Sequence, residues 1–307
     1  MNLLFIINGR AGRGAAKKWE RLKSRLSVPF QEVYTEYPCH ATEIVKEHGR
    51  VNQQTLLIVA VGGDGTIHEV IQGAIEFPHI IVGAIAAGSG NDFGRGFEYF
   101  KTVEEIQHFM HQPINQAKMD IGVLENVMDI KYFMNSAGFG FDAWISKLVN
   151  HSKIKKYLNK VGLGRLSYIY YLIKTLFTFN RFTLTLIHNG KKQNFHHVWF
   201  VVASNQPYFG GGMKISPQSV PNDGQIELTI VNELSSMKLL LLFITVFFGQ
   251  HTKFKAVKQF KASDFEMMMD QNVIAHTDGE YAGEYTKATP IHFRLKSHAW
   301  QLARKSS

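Results

Sequence analysis

The sequence predicts an α/β protein of two domains: an N-terminal domain with a parallel sheet, and a C-terminal, mainly antiparallel, β-sandwich-like domain. Over the first 118 residues, short apolar runs alternate with helical patterns, which favours a parallel sheet covered by helices on both faces. After residue 119, strand-like runs dominate. The chain has 307 residues, 45% of them hydrophobic, which is enough for a core in each domain.

The first predicted domain covers residues 1–118, and residues 297–307 are expected to complete it. The patterns predict strands at 3–7, 30–35, 55–61 and 80–86, and helices at 15–26, at 41–48 and from residue 66 onward. Glycine-containing loops at 8–14, 62–66 and 87–92 follow three of these strands. Ligands of parallel sheets gather at the carboxyl ends of the strands, so these loops are the candidate binding elements.

The second predicted domain covers residues 119–296. Its strand-like runs lie at 119–124, 132–136, 182–188, 198–203, 225–231 and 291–296, and helices are expected at 164–179 and 235–248. Asn189-Gly190 lies between strand patterns and predicts a hairpin turn. The cleft between the two domains is the expected position of the active site.

Composition narrows the classes of partner. The net charge of +9 fits anionic partners, but the chain has no run of five or six basic residues, so no nucleic-acid partner is expected. The longest apolar run, 239–248, is about half the ~20 residues that a spanning helix needs. The chain start does not have the pattern of a signal peptide. Cys39 is the one cysteine, which excludes internal disulfides and suits a reducing cytosol.

The loop after the third strand suggests phosphate chemistry. In AVGGDGTIHEVIQG, residues 60–73, Gly62 and Gly63 let the backbone approach a ligand closely. The start of the following helix favours anions, and Asp64 is suited to holding a cation beside a polyphosphate. The alternative is that Asp64 caps the helix. Thr66 is suited either to capping or to meeting a phosphate.

Two further loops share features with this one. The stretch AAGSGNDF, residues 86–93, again places glycines, a hydroxyl, an amide and a carboxylate after an apolar strand. The first loop, GRAGRG at 9–14, has the outer glycines of a Walker A loop but carries Ala15-Ala16 where Lys-Ser/Thr is required. By itself it is as consistent with a plain strand–helix turn as with a phosphate loop.

Together these motifs resemble the catalytic domain of the diacylglycerol kinase and sphingosine kinase superfamily. GGDGT at 62–66 with GSGNDFGR at 88–95 carries the likeness in the first domain. NSAGFGFDA at 135–143, SNQPYFGGG at 204–212, NDG at 222–224 and TDGE at 277–280 are similar to the soluble bacterial lipid kinase branch. GGDGT alone would not decide, since NAD kinases and phosphofructokinases carry similar loops.

The resemblance implies roles for individual residues. Those that match ATP-binding positions of the family are Asn8, Gly9, Arg10, Ala11, Gly12, Thr35, Gly62, Gly63, Asp64, Gly65, Thr66, Ser89 and Asn91. Asp64, Asp92 and Asp120 match acidic positions for the catalytic Mg²⁺. Asp278 and Glu280 match the motif that supplies the catalytic base.

The resemblance also implies a structural Mg²⁺ site formed by Asp223 with the backbone near Val220 and Gln225. Two departures from the family pattern matter. Gly9 follows Asn8 where relatives have proline, and Asn222 stands where many relatives have an acidic residue, which weakens the expectation of a structural metal.

Elementary chemistry agrees with these roles. Phosphoryl transfer needs positioning and charge neutralisation, and an alcohol acceptor needs a base within hydrogen-bond reach. Asp278 is the best candidate for that base, the alternative being that Asp278-Gly279 is a plain surface turn. No zinc-ligand spacing of histidines and no Gly-x-Ser-x-Gly elbow occurs.

The hypothesis is therefore an ATP- and Mg²⁺-dependent kinase of a diacylglycerol-like lipid. The alternatives are a kinase of a soluble acceptor such as NAD, and a catalytically silent nucleotide-binding regulator. A cytoplasmic protein in peripheral contact with the membrane is expected. The apolar stretches 168–173 and 239–248, together with lysines 147, 153, 155, 156 and 160, are read either as core helices with a solvated face or as a lipid-contacting rim. The sequence leaves open which lipid is used and whether the chain forms a homodimer.

Overall fold

A computed structural model describes residues 1–9, 14–88, 91–112, 116–150, 152, 165–287 and 289–304. They form two compact units. Unit 1 comprises the described residues of Met1–Ile121, Gly210–Gly212 and Lys296–Ser307, and unit 2 those of Gly122–Phe209 and Met213–Leu295. In the described part of the chain, no helix is both long enough and apolar enough to cross a bilayer.

Unit 1 alternates strands and helices along the chain. Its elements are β1 (Asn2–Asn8), α1 (Gly14–Lys23), β2 (Gln31–Thr35), α2 (His40–Val51), β3 (Leu56–Gly62), α3 (Asp64–Ala74), β4 (Ile80–Ala86), α4 (Phe93–Gly96) and α5 (Val103–His111). The strands pair in parallel in the order β2-β1-β3-β4. Every residue of β3 is buried, which explains why its sequence is apolar throughout rather than alternating.

Unit 2 is built mainly of antiparallel pairs. The elements from residue 116 onward are β5 (Gln116–Glu125), β6 (Ile130–Phe133), β7 (Ser136–Gly140), α6 (Phe141–Asn150), α7 (Arg165–Thr175), β8 (Phe182–His188), β9 (Lys191–Ser204), β10 (Ile226–Asn232), α8 (Ser236–Val246), β11 (Val257–Ala262), β12 (Asp264–Met269), β13 (Val273–Thr277), β14 (Glu280–Tyr285) and β15 (Ile291–Ala303). Two of these strands, β5 and β15, have residues in both units. The predicted fold class, with its parallel N-terminal sheet and antiparallel C-terminal sheet, is confirmed.

The long strand β9 organises unit 2. Its first half pairs with β8, and its second half pairs with β7 on one side and β10 on the other. The predicted hairpin turn at Asn189-Gly190 is present: both residues have positive φ angles, and His188 faces Lys191 across it. The end of β15 lies in unit 1, where Gln301 and Leu302 pair in parallel with β4.

Two cores fill unit 2. One lies among the strands and includes Phe139, Phe182 and Phe293, and the other lies under the helices and includes Phe141, Trp199 and Leu242. In unit 1, Phe5 and Trp19 pack with their ring centroids 4.1 Å apart in a core that also contains residues of α5.

One predicted strand covers parts of two separate strands, and the predicted strands at 198–203 and 291–296 are longer than expected. The sequence predicts a single strand at 132–136, whereas β6 ends at Phe133 and β7 begins at Ser136. The backbone N–H groups of Met134 and Asn135 donate to the carboxylate of Asp278, which a pattern of apolar residues does not reveal. The strands β11 to β14 were not predicted; polar residues break the apolar pattern of β11, VKQFKA, and of β14, EYAGEY.

Candidate functional site

The parallel sheet of unit 1 brings the predicted nucleotide loops to one edge. Because the strands are parallel, Asn8, Thr35, Gly62 and Ala86 all lie at carboxyl ends. The register places Asn8 opposite Thr35 and Gly62 opposite Ala86. A Cβ on Gly9 would lie 3.0 Å from the carbonyl oxygen of Thr35, so the first loop passes directly over β2.

Side chains join the first loop to the second. Asn8 Nδ2 donates to Thr66 Oγ1 at 2.8 Å, so the Thr66 hydroxyl is committed to this bond as acceptor. A Cβ on Gly62 would lie 2.6 Å from that hydroxyl, and only glycine leaves room for Thr66 to turn inward. The second and third loops touch as well, because a Cβ on Gly88 would lie 2.5 Å from the Cα of Gly63.

Asp64 connects the second loop to the third. It is the first residue of α3, but its Oδ1 accepts a hydrogen bond from the N–H of Phe93 at 2.9 Å, at the start of α4. Gly63 is the N-cap of α3, and no side chain caps that helix. Asp64 therefore does not cap its own helix, and that alternative is wrong.

Asp92 is a buried carboxylate beside Asp64. It is 7% exposed, its Oδ2 accepts the N–H of Gly211 at 2.7 Å, and its Oδ1 pairs with Arg95 at 2.9 Å. Burial raises the pKa of Asp92, the Gly211 N–H lowers it, and the negative charge of Asp64 raises it further. Two carboxylates that oppose each other's ionisation form an environment in which a cation is stabilised.

Asp120 is held by a different element. It is 1% exposed, its Oδ1 accepts the N–H of His298 at 2.8 Å, and its carbonyl oxygen accepts the indole N–H of Trp300 at 3.2 Å. The structure thus links Asp64 and Asp92 through α4, whereas Asp120 is tied to β15.

Two basic side chains in unit 1 were not predicted as site residues. Lys18 on α1 donates to the carbonyl oxygen of Ala86 at 2.9 Å, which places an ammonium group at the end of β4. Arg95 lies 3.2 Å from the position that a Cβ on Gly212 would take. Arg95 could have been predicted from its position in the GNDFGR stretch. The sequence gives no reason to choose Lys18 rather than its neighbour Lys17.

Some of the predicted site residues fall outside the part of the chain that the structure describes. Arg10, Ala11, Gly12 and Ser89 lie outside the described residues, as do the lysines at 153, 155, 156 and 160. Gly65 is exposed, and Asn91 has a φ angle of 54°. In the part of the chain that the structure describes, no group of three or more His, Cys, Asp or Glu side chains is arranged to hold a metal ion.

In unit 2, Asp278 and Gly279 form the two-residue turn between β13 and β14. Their φ angles of 49° and 84° fit a type I′ hairpin turn, and Thr277 faces Glu280 across it. The Asp278 carboxylate accepts the N–H groups of Met134, Asn135 and Ser136 at 2.8, 2.7 and 2.9 Å. These donors stabilise the ionised carboxylate and fix the bend between β6 and β7.

Glu280 differs from Asp278 in its surroundings. It is exposed at the start of β14, and Asn150 Nδ2 lies 3.5 Å from its Oε2 while donating to the Gly279 carbonyl at 3.0 Å. The motif therefore holds one carboxylate fixed by the backbone and one open to solvent.

A buried histidine–carboxylate pair supports this turn. His276 is fully buried, its Nε2 lies 2.8 Å from Asp142 Oδ2, and its Nδ1 accepts the N–H of Gly279 at 3.4 Å. The Phe209 ring stacks on His276 with centroids 4.8 Å apart. A Cβ on Gly138 would lie 2.6 Å from Asp142 Oδ2, so the glycine in NSAGFGFDA makes room for the pair.

Asp223, the predicted ligand of a structural metal, lies in the turn before β10. Its Oδ1 accepts the N–H of Gln225 at 3.0 Å, and its Oδ2 lies 2.8 Å from Lys261 Nζ. Val220 is 44% exposed.

Comparison with known proteins agrees with this arrangement. Residues 2–124 match the model of the diacylglycerol kinase catalytic domain, and residues 135–302 match that of the YegS C-terminal NAD kinase beta sandwich-like domain. The chain is 33% identical to the Bacillus subtilis protein named "Putative lipid kinase YtlR", over 95% of this chain and 96% of that protein. It is 26% identical to the Bacillus subtilis diacylglycerol kinase, over 91% and 89% of the two chains.

Solved structures share the fold. A diacylglycerol kinase structure from Bacillus anthracis superposes with a TM-score of 0.70 at 18% identity, covering 99% of this chain and 97% of that one. Yeast NADH kinase superposes with a TM-score of 0.55 at 11% identity, over 100% and 84% of the chains. These two likenesses concern the fold alone.

The family matches make this protein a phosphotransferase of the kinase class, and a kinase of this kind uses ATP as phosphoryl donor. More narrowly, the chain belongs to the diacylglycerol kinase catalytic-domain family, and the two relatives given above carry the names "Putative lipid kinase YtlR" and "Diacylglycerol kinase".

The Arg95–Asp92 ion pair gives a prediction with a defined pH dependence. Arg95→Met leaves the buried Asp92 carboxylate without its counter-charge, so we expect the free energy of unfolding near pH 7 to fall by about 1–3 kcal/mol. Because the folded-state pKa of Asp92 is raised, the loss should shrink as pH falls through that pKa and protonates the carboxylate. Urea unfolding at about pH 7 and about pH 4.5 measures it.

Arg95→Lys is the matched control, because it keeps the positive charge and should retain part of the stability. An equal loss at both pH values for Arg95→Met would mean that Arg95 contributes through packing rather than through the ion pair.

A second prediction separates the two carboxylates of the turn. Asp278→Asn places an NH₂ group against backbone N–H donors, so we expect the free energy of unfolding to fall by about 1–3 kcal/mol. Glu280→Gln should leave the unfolding midpoint unchanged, because this side chain is exposed. Thermal unfolding of both variants is the measurement. A stable Asp278→Asn variant would contradict the assignment of Asp278 as the brace of the bend.

Proposed function

We propose that this kinase transfers the γ-phosphoryl group of ATP, with Mg²⁺, to the hydroxyl of a diacylglycerol-like lipid. The observation that carries the proposal is the junction of the second and third loops, where Asp64 accepts the Phe93 N–H and lies beside the buried Asp92. The names of the relatives support a lipid as the acceptor.

In this proposal the carboxyl edge of the sheet in unit 1 binds the nucleotide. The start of α3 offers backbone N–H groups and a helix dipole to the phosphates. The glycines beside it allow close approach of the backbone, and Lys18 adds a positive charge at the end of β4. Asn8 and Thr66 hold the first two loops together, so that they act on the nucleotide as one surface.

The Asp64 carboxylate fits a magnesium ion, and Asp92, whose two oxygens already have protein partners, adds negative charge beside it. Mg²⁺ is usually bound by one or two carboxylates together with substrate phosphates, and these two carboxylates lie at the loops assigned to the phosphates. Burial is the main cause of the raised pKa of Asp92, and the negative charge of Asp64 adds to it, so a cation bound nearby would favour the ionised form. When bound, Mg²⁺ would supply neutralisation of the phosphate charge. Asp120 remains a proposed further ligand, held rigidly by β15.

For the general base we propose Glu280, with Asp278 as the residue that positions it. An acceptor of the hydroxyl proton must reach the substrate, and Glu280 is exposed, whereas the Asp278 carboxylate already accepts three backbone N–H groups. The bonds of Asn150 to Gly279 and of Gly279 to His276 hold the turn that carries both residues.

A lipid acceptor requires contact with a membrane surface, and we propose the outer face of α8 in unit 2 for that contact. Leu239, Leu242 and Val246 bury the inner face of this helix. The opposite face carries Met237, Leu241, Ile244 and, just beyond the helix, Phe247 and Phe248. These residues are 60, 62, 59, 52 and 71% exposed.

Charge favours an anionic lipid surface over another occupant of this face. Between Leu234 and Val257 the chain has the lysines Lys238, Lys253 and Lys255, all exposed, and no Asp or Glu. Each lysine near an anionic leaflet contributes about 1 kcal/mol. With 11 residues, α8 is about 16 Å long, so it would lie in the plane of the interface instead of spanning the bilayer.

The neighbouring helix α7 extends this face. Ser236 Oγ donates to the carbonyl oxygen of Leu176 at 3.2 Å, so the end of α7 packs on the start of α8. Ile173 and Phe177 are 50 and 68% exposed. A cavity of about 350 Å³ lies beside them, with both apolar residues such as Trp144 and Phe179 and polar residues such as Gln271 in its lining.

The acceptor is tested by incubating the protein with ATP, Mg²⁺ and extracted lipids, or with NAD, and searching for products heavier by one HPO₃. We expect a phosphorylated diacylglycerol-like lipid and no phosphorylated NAD. Glu280→Gln should lower turnover by about 10²–10⁴-fold. Asp64→Asn should abolish turnover without unfolding, since its remaining oxygen can still accept the Phe93 N–H.

Three outcomes would contradict this proposal. Phosphorylation of NAD alone would assign a soluble acceptor. Nucleotide binding without turnover on any acceptor would indicate a regulator. Near-parental turnover of Asp64→Asn would remove the metal role of that carboxylate.

The membrane face is tested by co-sedimentation with vesicles. The double variant Phe247→Ser, Phe248→Ser should bind vesicles of phosphatidylcholine and phosphatidylglycerol at least about tenfold more weakly, because it loses aromatic area to the interface. Replacing Lys238, Lys253 and Lys255 by glutamine should remove the preference for anionic vesicles. Met128→Ser is the matched control, since Met128 is 93% exposed in the same unit but outside this face.

Parental binding by the double phenylalanine variant would exclude α8 as the contact surface. The activity of the double variant is also measured on detergent-dispersed lipid, where no membrane contact is needed. Activity there would show that the kinase proposal holds even if the proposed membrane face is wrong.

A further inference from the structure

The turn before β10 was expected to hold a structural magnesium ion, and its contacts point to a different cation. Asp223, Glu227 and Lys261 form the cluster. Glu227 on β10 and Lys261 on β11 face each other directly in the antiparallel register. Lys261 Nζ lies 2.8 Å from Asp223 Oδ2 and 3.9 Å from Glu227 Oε1.

We propose that the ammonium group of Lys261 takes the place of the structural metal ion, so that unit 2 supplies the cation of this site from its own chain. The inference concerns stability and does not depend on the proposed lipid acceptor.

The geometry of Asp223 fits an ammonium group. One oxygen accepts the N–H of Gln225 and the other is paired with Lys261, so both oxygens of the expected metal ligand have partners. A separation of 2.8 Å is a charge-assisted hydrogen bond, whereas Mg²⁺ requires about six oxygens at about 2.0–2.1 Å. The residue before Asp223 is Asn222, so no second carboxylate is offered from the turn itself.

Glu227 explains why a cation is needed here. Its side chain is 6% exposed, and burial raises the pKa of its carboxyl group. Its Oε2 makes no hydrogen bond to a described residue. Asp223 and Glu227 place two carboxylates around one lysine, and the bond to Asp223 raises the pKa of Lys261. Lys261 is part of strand β11, so its positive charge is present whether or not metal ions are in solution.

The test is thermal unfolding without nucleotide, in EDTA or in millimolar Mg²⁺. The parent midpoint should be the same in both. Lys261→Met should unfold several degrees lower in EDTA, because two carboxylates lose their shared counter-charge, and Mg²⁺ should restore part of the loss. Lys258→Met is the matched control, since Lys258 is an exposed lysine of the same strand outside this cluster.

A second measurement covers the case in which Lys261→Met does not fold. Mn²⁺ bound per chain is counted by equilibrium dialysis for the parent and for Asp223→Asn, and the two numbers should be equal. Loss of one bound ion in Asp223→Asn would overturn the inference. So would a parent midpoint that rises with Mg²⁺ in a manner abolished by Asp223→Asn.

Discussion

The hydrogen bond from the Phe93 N–H to Asp64 Oδ1 joins two loops that leave neighbouring parallel strands. The loop after β3 and the loop after β4 already touch at Gly63 and Gly88, and this bond adds a link through a side chain. With it, the Asp64 carboxylate has a fixed position beside Asp92, and the start of α3 faces the same edge as Asn8 and Thr66. The assignment of this edge to a nucleotide and a cation depends on that junction, because scattered carboxylates would form no site.

The same kind of bond, a backbone N–H donated to a carboxylate, recurs at three other candidate acidic residues. Asp92 accepts an N–H from Gly211, Asp120 from His298, and Asp278 from the bend at 134–136. In each case the donor is more than a hundred residues away along the chain. Backbone N–H donors favour the ionised form of a carboxylate, and the bonds order the segment that donates them. These side chains therefore brace the fold as well as carry charge.

Much of the fold follows from local patterns. The strands of unit 1 are buried on both faces, so they appear as unbroken apolar runs, and the hairpin at Asn189-Gly190 follows from a dipeptide that adopts positive φ angles readily. Asp278-Gly279 carries the same turn signal and forms the same kind of turn. The dipeptide predicts only the turn, and the expectation of a catalytic residue there comes from the family resemblance. Asp278 forms the turn with its backbone, while its carboxylate accepts the N–H of Ser136 in the bend between β6 and β7.

What the sequence by itself determined is the alternation of elements, the fold class and the loops that carry glycine and carboxylate, because these depend on short-range periodicity and on residue type. Tertiary structure decided which carboxylate meets which partner. Lys18 over Ala86, His276 against Asp142 and Lys261 between Asp223 and Glu227 are contacts across long sequence separations. Such pairings depend on strand register and on the direction of side chains in a packed interior, and no local pattern of residues contains that information.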